Sequence, residues 1–233
     1  MEAIVFLQAY DDRFNVIRSV AMQSDMKGRY GDVRDIILHT KNDEEIGISA
    51  KHRHASVKHS RLSKKIDFGK EWYGVSCSAA YWSAVNPVFQ DLEERRLRKE
   101  RWRDVPEKAV KYYVPVLSAF KKEVEKHAKV DTMIEYLIGK YDFYQIIKEN
   151  GYVLLNSVNL HGTLLWGKKL PLPSMISSIM EKNNTTLILK ANSGWEMSFR
   201  IHNARTIIEP SLKFDVQLIG VPKQLLSHRI KIA

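Results

Sequence analysis

Residues 31–63 read GDVRDIILHTKNDEEIGISAKHRHASVKHSRLS. Two Ile-rich runs, RDIILH and EEIGISAKH, flank a polar gap, which is the pattern of a β-hairpin. Successive side chains of a strand point to opposite faces. Glu45, Gly47, Ser49 and Lys51 therefore share one face, and Ile46, Ile48 and Ala50 share the other. In the first run Asp35, Ile37 and His39 alternate with Ile36 and Leu38. With the apolar faces assigned to the core, Asp35 sits at a strand mouth opposite Ser49 and Lys51.

A carboxylate and an ammonium on neighbouring strands suit phosphodiester cleavage. The carboxylate binds Mg²⁺, a hard cation that prefers oxygen ligands and polarises the scissile phosphate. The lysine orients or helps deprotonate a water and offsets charge that builds on the phosphate. The ordinary alternatives are a strand-end aspartate and a lysine whose stem lies along the core.

Working outward, Ile4, Val5, Leu7, Phe14, Ile17 and Val20 recur at helical spacing, so a helix is expected from Glu2 to about Met22. HASVKHSRLSKK contains no Gly or Pro and is expected to be helical. Pro87 is expected to interrupt any helix in the segment that contains it. Residues 95–103 form a dense basic helix face, either solvated or tracking a phosphate backbone. Helices continue to a stop at Gly151. Beyond it the texture changes to strand runs, among them YVLLNSVNL, GTLLWG, TTLILKA, EMSFRIH and LKFDVQLIGV, with turns at LPLP, KNNT and VPK. The expectation is an α/β (α+β) protein: residues 1–150 as a helical and catalytic core, and 151–233 as a β-rich half packed on it.

The 233 residues are 44% hydrophobic, ordinary for a globular chain. Lys and Arg outnumber Asp and Glu by 37 to 27, a net charge of +10. That excess suits an anionic partner such as nucleic acid or a membrane surface. Cys77 is the single cysteine, so no intramolecular disulfide forms and a reducing compartment, the cytosol, is expected. The apolar run AIVFL is too short for a membrane span or a signal peptide.

The groups that can face a nucleic acid form two sets. His52, Arg53, His54, Lys58, His59 and Arg61 follow the hairpin. In a helix His54, Lys58 and Arg61 would share a face, better suited to phosphate or base contacts than to a zinc cage. Arg200, His202, Asn203, Arg205 and Lys213 lie in the β-rich half. Arginine pairs with guanine O6 and N7, and a carboxylate accepts from cytosine N4. Water-exposed strand residues are the plain alternative for any one of them.

The Asp35 and Ser49-Ala50-Lys51 spacing resembles the PD-(D/E)XK nuclease core, in which an Asp on one strand precedes an acidic residue and a Lys two apart on the next. The phrases SDMKGRYGDVRDI, EIGISAKHRHASVKHSRLS, VPVLSAF, GKYDFYQI, NLHGTLLWG and SFRIHNARTIIEPSLKFDV resemble the HaeIII/NgoPII family of type II restriction endonucleases, from about Met22 to Leu226. The resemblance implies a mixed sheet flanked by helices in a prokaryotic cytoplasmic enzyme. It also implies Mg²⁺-dependent cleavage of double-stranded DNA at the palindrome GGCC. Ser49 stands where the acidic residue is expected, so a second carboxylate must come from elsewhere. Asp67 and Glu71 are the nearest downstream candidates. Asp32 and Glu45 are others, although Glu45 lies about 20 Å from Lys51 along an extended strand. A palindromic site suggests a two-fold homodimer, and a monomer acting on one strand at a time stays open. Two rival readings remain: a DNA-binding protein that has lost catalysis, which Ser49 makes conceivable, and an RNA-processing nuclease on the same core.

Overall fold

The computed structural model describes residues 2–23, 31–52 and 56–232. The chain divides into two compact units, each built from separate stretches of sequence. One comprises Met1–Val57, Ile134–Leu172 and Val221–Ala233, and the other Lys58–Met133 and Pro173–Gly220. A division at residue 150 would fall between strands β5 (Phe143–Glu149) and β6 (Tyr152–Val158), which pair along their full length. The mixed α and β content agrees with the expected fold class.

The first unit is organised by a six-stranded sheet in the order β1-β2-β3-β5-β6-β11. Its other strands are β1 (Ile17–Met22), β2 (Ile36–Thr40), β3 (Glu45–His52) and β11 (Ser227–Lys231). All neighbours are antiparallel except β3 and β5, which run parallel. The β2–β3 hairpin forms as expected. Its turn is fixed by Thr40, whose hydroxyl oxygen accepts from the backbone N–H groups of Asn42 and Glu44.

Helix α1 (Glu2–Tyr10) is shorter than the spacing predicts. Asp11 turns the chain. Its buried carboxylate pairs with Arg13 at 2.7 Å and accepts from the Tyr144 hydroxyl at 2.7 Å. Those contacts anchor a 3₁₀ turn, after which the chain enters β1. Leu7 and Phe14 then pack with Leu38, Ile46, Ile48, Tyr144 and Leu155 on one face of the sheet.

The second unit holds a five-stranded sheet in the order β4-β10-β9-β8-β7. Its strands are β4 (Ser56–Leu62), β7 (Ile176–Asn183), β8 (Thr186–Ala191), β9 (Glu196–His202) and β10 (Leu212–Gly220). The inner face, with Phe199 and Phe214, packs against Trp72 of helix α2 (Phe68–Tyr73) and Phe120 of helix α4 (Val114–His127). The rings of Phe120 and Phe214 lie 4.9 Å apart. Ser198, Arg200 and His202 alternate with those inner residues and occupy the outer face, as do Lys213, Asp215 and Gln217.

Four further expectations change. The segment expected to be a helix after the hairpin is β4, in which Lys58, Ser60 and Leu62 are buried while His59 is exposed and Arg61 half-exposed, a period of two. Without Gly or Pro, nothing in that stretch separated helix from strand beforehand. Helix α3 (Ala79–Leu97) runs through Pro87. A proline inside a helix costs about 3 kcal/mol, which is offset here by burial of Tyr81, Val85, Phe89 and Leu92 along one stripe. The helix ends at Leu97, so Arg98 to Arg103 do not continue its face; Glu100 instead pairs with Arg95 and Arg98 at 2.6 Å each. GTLLWG is a loop rather than a strand. A short helix, α5 (Val130–Ile138), precedes β5.

Candidate active site

Asp35 lies immediately before β2. Its N–H donates to the Ile48 carbonyl at 2.8 Å, and its own carbonyl accepts from Gln23 N–H at 3.0 Å. Both neighbouring strands thus fix its backbone. Its carboxylate leans over β3, where Oδ2 accepts from Ala50 N–H at 2.7 Å, from the Ser49 hydroxyl at 3.0 Å and from Lys51 Nζ at 3.1 Å. Among the described residues Oδ1 has only the longer approach of Lys51 Nζ, at 3.5 Å. The Asp35 side chain is 40% exposed and that of Lys51 is 17% exposed. Ser49 is buried. Asp35, Ser49 and Lys51 are therefore brought together as the alternation of the two strands predicts, and Ser49 positions the carboxylate by donating to it.

A carboxylate has about four acceptor positions. Three donors crowd Oδ2, and Oδ1 keeps capacity on a partly open side chain. Such a group fits a hard divalent cation, which in the case of Mg²⁺ is commonly held by one or two carboxylates together with substrate phosphates and waters. Among the described residues no three His, Cys, Asp or Glu side chains gather where they could hold a metal ion.

The other nearby carboxylates are engaged. Arg34 Nη2 pairs with Asp32 at 2.8 Å and Arg34 Nη1 with Glu45 at 3.0 Å, while the guanidinium stacks 4.1 Å above the Tyr141 ring. Gln23 also donates to Asp32, at 2.6 Å. Burial alone would raise the Asp32 carboxyl, but hydrogen bonds from Arg34 and Gln23 outweigh it and hold the group below its ordinary value. A Cβ on Gly47 would lie 2.3 Å from Arg34 Cδ, so glycine at this point lets the arginine lie flat across β3.

Asp67 and Glu71 belong to the second unit, whereas Asp35 belongs to the first. Asp67 is the N-cap of α2, accepting from the N–H of Lys70 at 3.1 Å and of Cys77 at 2.9 Å. Burial would push its carboxyl up, but those backbone donors outweigh it and hold it below its ordinary value. Glu71 lies in the first turn of α2.

Across the sheet, Ser49 is in register with Gln145 of β5, and Gln145 with Asn156 of β6. Gln145 Oε1 accepts from Asn156 Nδ2 at 3.0 Å. A polar row thus continues from Ser49. Sequence reading missed Gln145, because parallel pairing of β3 with β5 joins segments far apart in the chain.

Of the expected DNA-facing groups, His52 ends β3 and is exposed. Arg53 and His54 lie outside the described residues. Lys58 is buried, on the opposite strand face from His59 and Arg61. His59 faces Asp215 at 3.4 Å, and Arg61 reaches Glu209 and Ser211 at 3.1 Å each. Arg205 also pairs with Glu209 at 3.1 Å. Asn203 donates to the Arg205 carbonyl at 2.7 Å, and His202 Nδ1 lies 2.8 Å from the Asn203 carbonyl. Lys213 is in register with His202. All of these from His59 onward lie in the second unit.

An Asp and a Lys joined on adjacent strands of a mixed sheet are the arrangement that the resemblance to a PD-(D/E)XK nuclease core implies, with Ser49 in the place of its acidic residue. The chain belongs to the HaeIII restriction endonuclease family, whose model matches residues 7–222. It is similar to the type II restriction enzyme HaeIII of Haemophilus aegyptius, with 43% identity over 233 positions covering 91% of this chain and 73% of the relative. No solved structure matches it. The protein is thus a type II restriction endonuclease, a site-specific deoxyribonuclease. No helix among its described residues is long and apolar enough to cross a membrane.

Proposed function

We propose that this enzyme hydrolyses double-stranded DNA within GGCC in a Mg²⁺-dependent reaction centred on Asp35 and Lys51. The observation that carries the reading is the 3.1 Å approach of Lys51 Nζ to Asp35 Oδ2 across neighbouring strands. Asp35 would hold the cation through its carboxylate, with Ser49 and Gln145 as uncharged oxygen candidates in the same cross-strand row. When bound, Mg²⁺ supplies Lewis-acid polarisation of the scissile phosphate. Lys51 keeps its ammonium beside the phosphate, hydrogen-bonds the attacking water through Nζ and offsets the developing negative charge. Ser49 and the Ala50 N–H fix the Asp35 carboxylate so that little reorganisation accompanies the reaction.

For contact with DNA the reading takes His52, Arg53 and His54 after the hairpin, and His59, Arg61, Arg200, His202, Asn203, Arg205 and Lys213 of the second unit. Lys58 supports β4 from its buried side. A palindromic substrate favours two copies of the chain acting about a two-fold axis. The setting is the prokaryotic cytoplasm, where DNA is the anionic partner suited to a net charge of +10.

The second reading, a DNA-binding protein without catalysis, draws on Ser49 at the position of the expected acidic residue. Digestion of plasmid DNA with Mg²⁺ separates the two. Discrete fragments with ends inside GGCC support the nuclease, and retarded but intact DNA supports the binding protein. Intact duplex together with cleaved RNA would favour an RNA-processing nuclease.

A further inference from the structure

The outer face of the second sheet carries a cross-strand pair that the cleavage chemistry does not use. Asp215 of β10 is in register with Arg200 of β9, and Arg200 Nη2 lies 3.6 Å from Asp215 Oδ2. His59 Nδ1 approaches Asp215 Oδ1 at 3.4 Å, and Gln217 Nε2 donates to Oδ2 at 3.4 Å. The Asp215 side chain is 12% exposed and that of Arg200 is 61% exposed. The anion is recessed and backed from three sides, while the cation projects from the sheet.

A carboxylate set directly behind an arginine weakens it as a phosphate clamp, because the two anions repel. The same carboxylate improves an arginine as a reader of a base edge. Guanine presents two neutral acceptors, O6 and N7, that match the planar guanidinium fork. A carboxylate 3.6 Å behind one Nη biases the orientation of the fork in advance, which lowers the ordering cost on binding. In register beyond Arg200, β8 offers Thr186, which brings no second charge to compete.

We propose that Arg200 reads a guanine of the recognition sequence through O6 and N7 in the major groove, and that Asp215 is the positioning residue that presents it. This rests on the reading of the protein as a GGCC-cutting nuclease and adds the groups that choose the base.

The test measures kcat/KM on short duplexes in which each guanine of GGCC is replaced in turn by 7-deazaguanine, which lacks the N7 acceptor. The wild-type enzyme is expected to lose on the order of ten- to a hundredfold at one of the two positions. Arg200→Ala should cut the normal and the modified duplex at that position with equal, reduced efficiency. Asp215→Asn, which keeps the shape of the side chain, should lose most of the discrimination while retaining the thermal midpoint. Arg200 is exposed, so its replacement leaves folding intact even if Asp215 variants are unstable. Undiminished discrimination in either variant, with GGCC still cut by the wild type, overturns the role of this pair alone. Failure of the wild type to cut GGCC overturns the underlying reading, and this assignment with it.

Discussion

Arg34 lies across Gly47, so close that a methyl group at position 47 would stand 2.3 Å from Arg34 Cδ and 2.9 Å from the Asp142 carbonyl oxygen. The contact couples the segment that carries Asp35 to the strand that carries Lys51. Gly47→Ala must displace the arginine from Asp32 and Glu45 or bend β3. Overpacking of this kind costs about 1–3 kcal/mol. Urea unfolding should show that loss, with cleavage reduced further than the loss of folded protein explains. A Gly47→Ala variant as stable and active as the wild type would show that the coupling is dispensable.

The ion pair itself predicts a pH dependence. The Asp32 carboxyl is held below its ordinary value in the folded protein, so its contribution is fully present above the unfolded value of about 3.9. It is lost as pH falls through the folded value, because the unfolded chain binds the proton first. Arg34→Met should cost about 3–5 kcal/mol at neutral pH by leaving Asp32 buried without its partner. It should also flatten the decline in stability below about pH 5. Unfolding free energies measured from pH 6 to pH 3 check both, and a variant that keeps the wild-type acid slope would remove Asp32 from the account.

Asp67 is predicted to act on folding rather than on the metal. Asp67→Ala removes the cap of α2 and the bond to Cys77 N–H, at a cost of about 1–2 kcal/mol. The Mg²⁺ concentration for half-maximal cleavage should stay within about threefold of the wild-type value, since carboxylates that bind Mg²⁺ govern its affinity. A larger increase at a temperature where the variant is fully folded would return Asp67 to the metal site.

Local chemistry made part of this fold legible. The β2–β3 hairpin follows from two Ile-rich runs and a polar gap, and strand alternation places Asp35 against Ser49 and Lys51 as the structure has it. Elsewhere local signals were ambiguous or misleading. SVKHSRL carries no breaker and suits a helix, and only pairing within the sheet of the second unit makes it a strand. Pro87 should have stopped a helix on propensity, and a buried stripe overrides it. Gln145 gave no signal because it acquires meaning through register with Ser49, on a strand distant in sequence, and Asp215 gave none because the irregular segment between β9 and β10 leaves its register with Arg200 unspecified.

The central claim, that Asp35 and Lys51 form the cleavage centre, is tested most directly by a timed digest of GGCC-containing plasmid DNA with Mg²⁺, comparing wild type, Asp35→Ala and Lys51→Ala. The wild type should give discrete fragments. Each variant should cut at least about a hundredfold more slowly while still retarding a GGCC duplex in a gel. Cleavage at the wild-type rate by either variant would contradict the assignment.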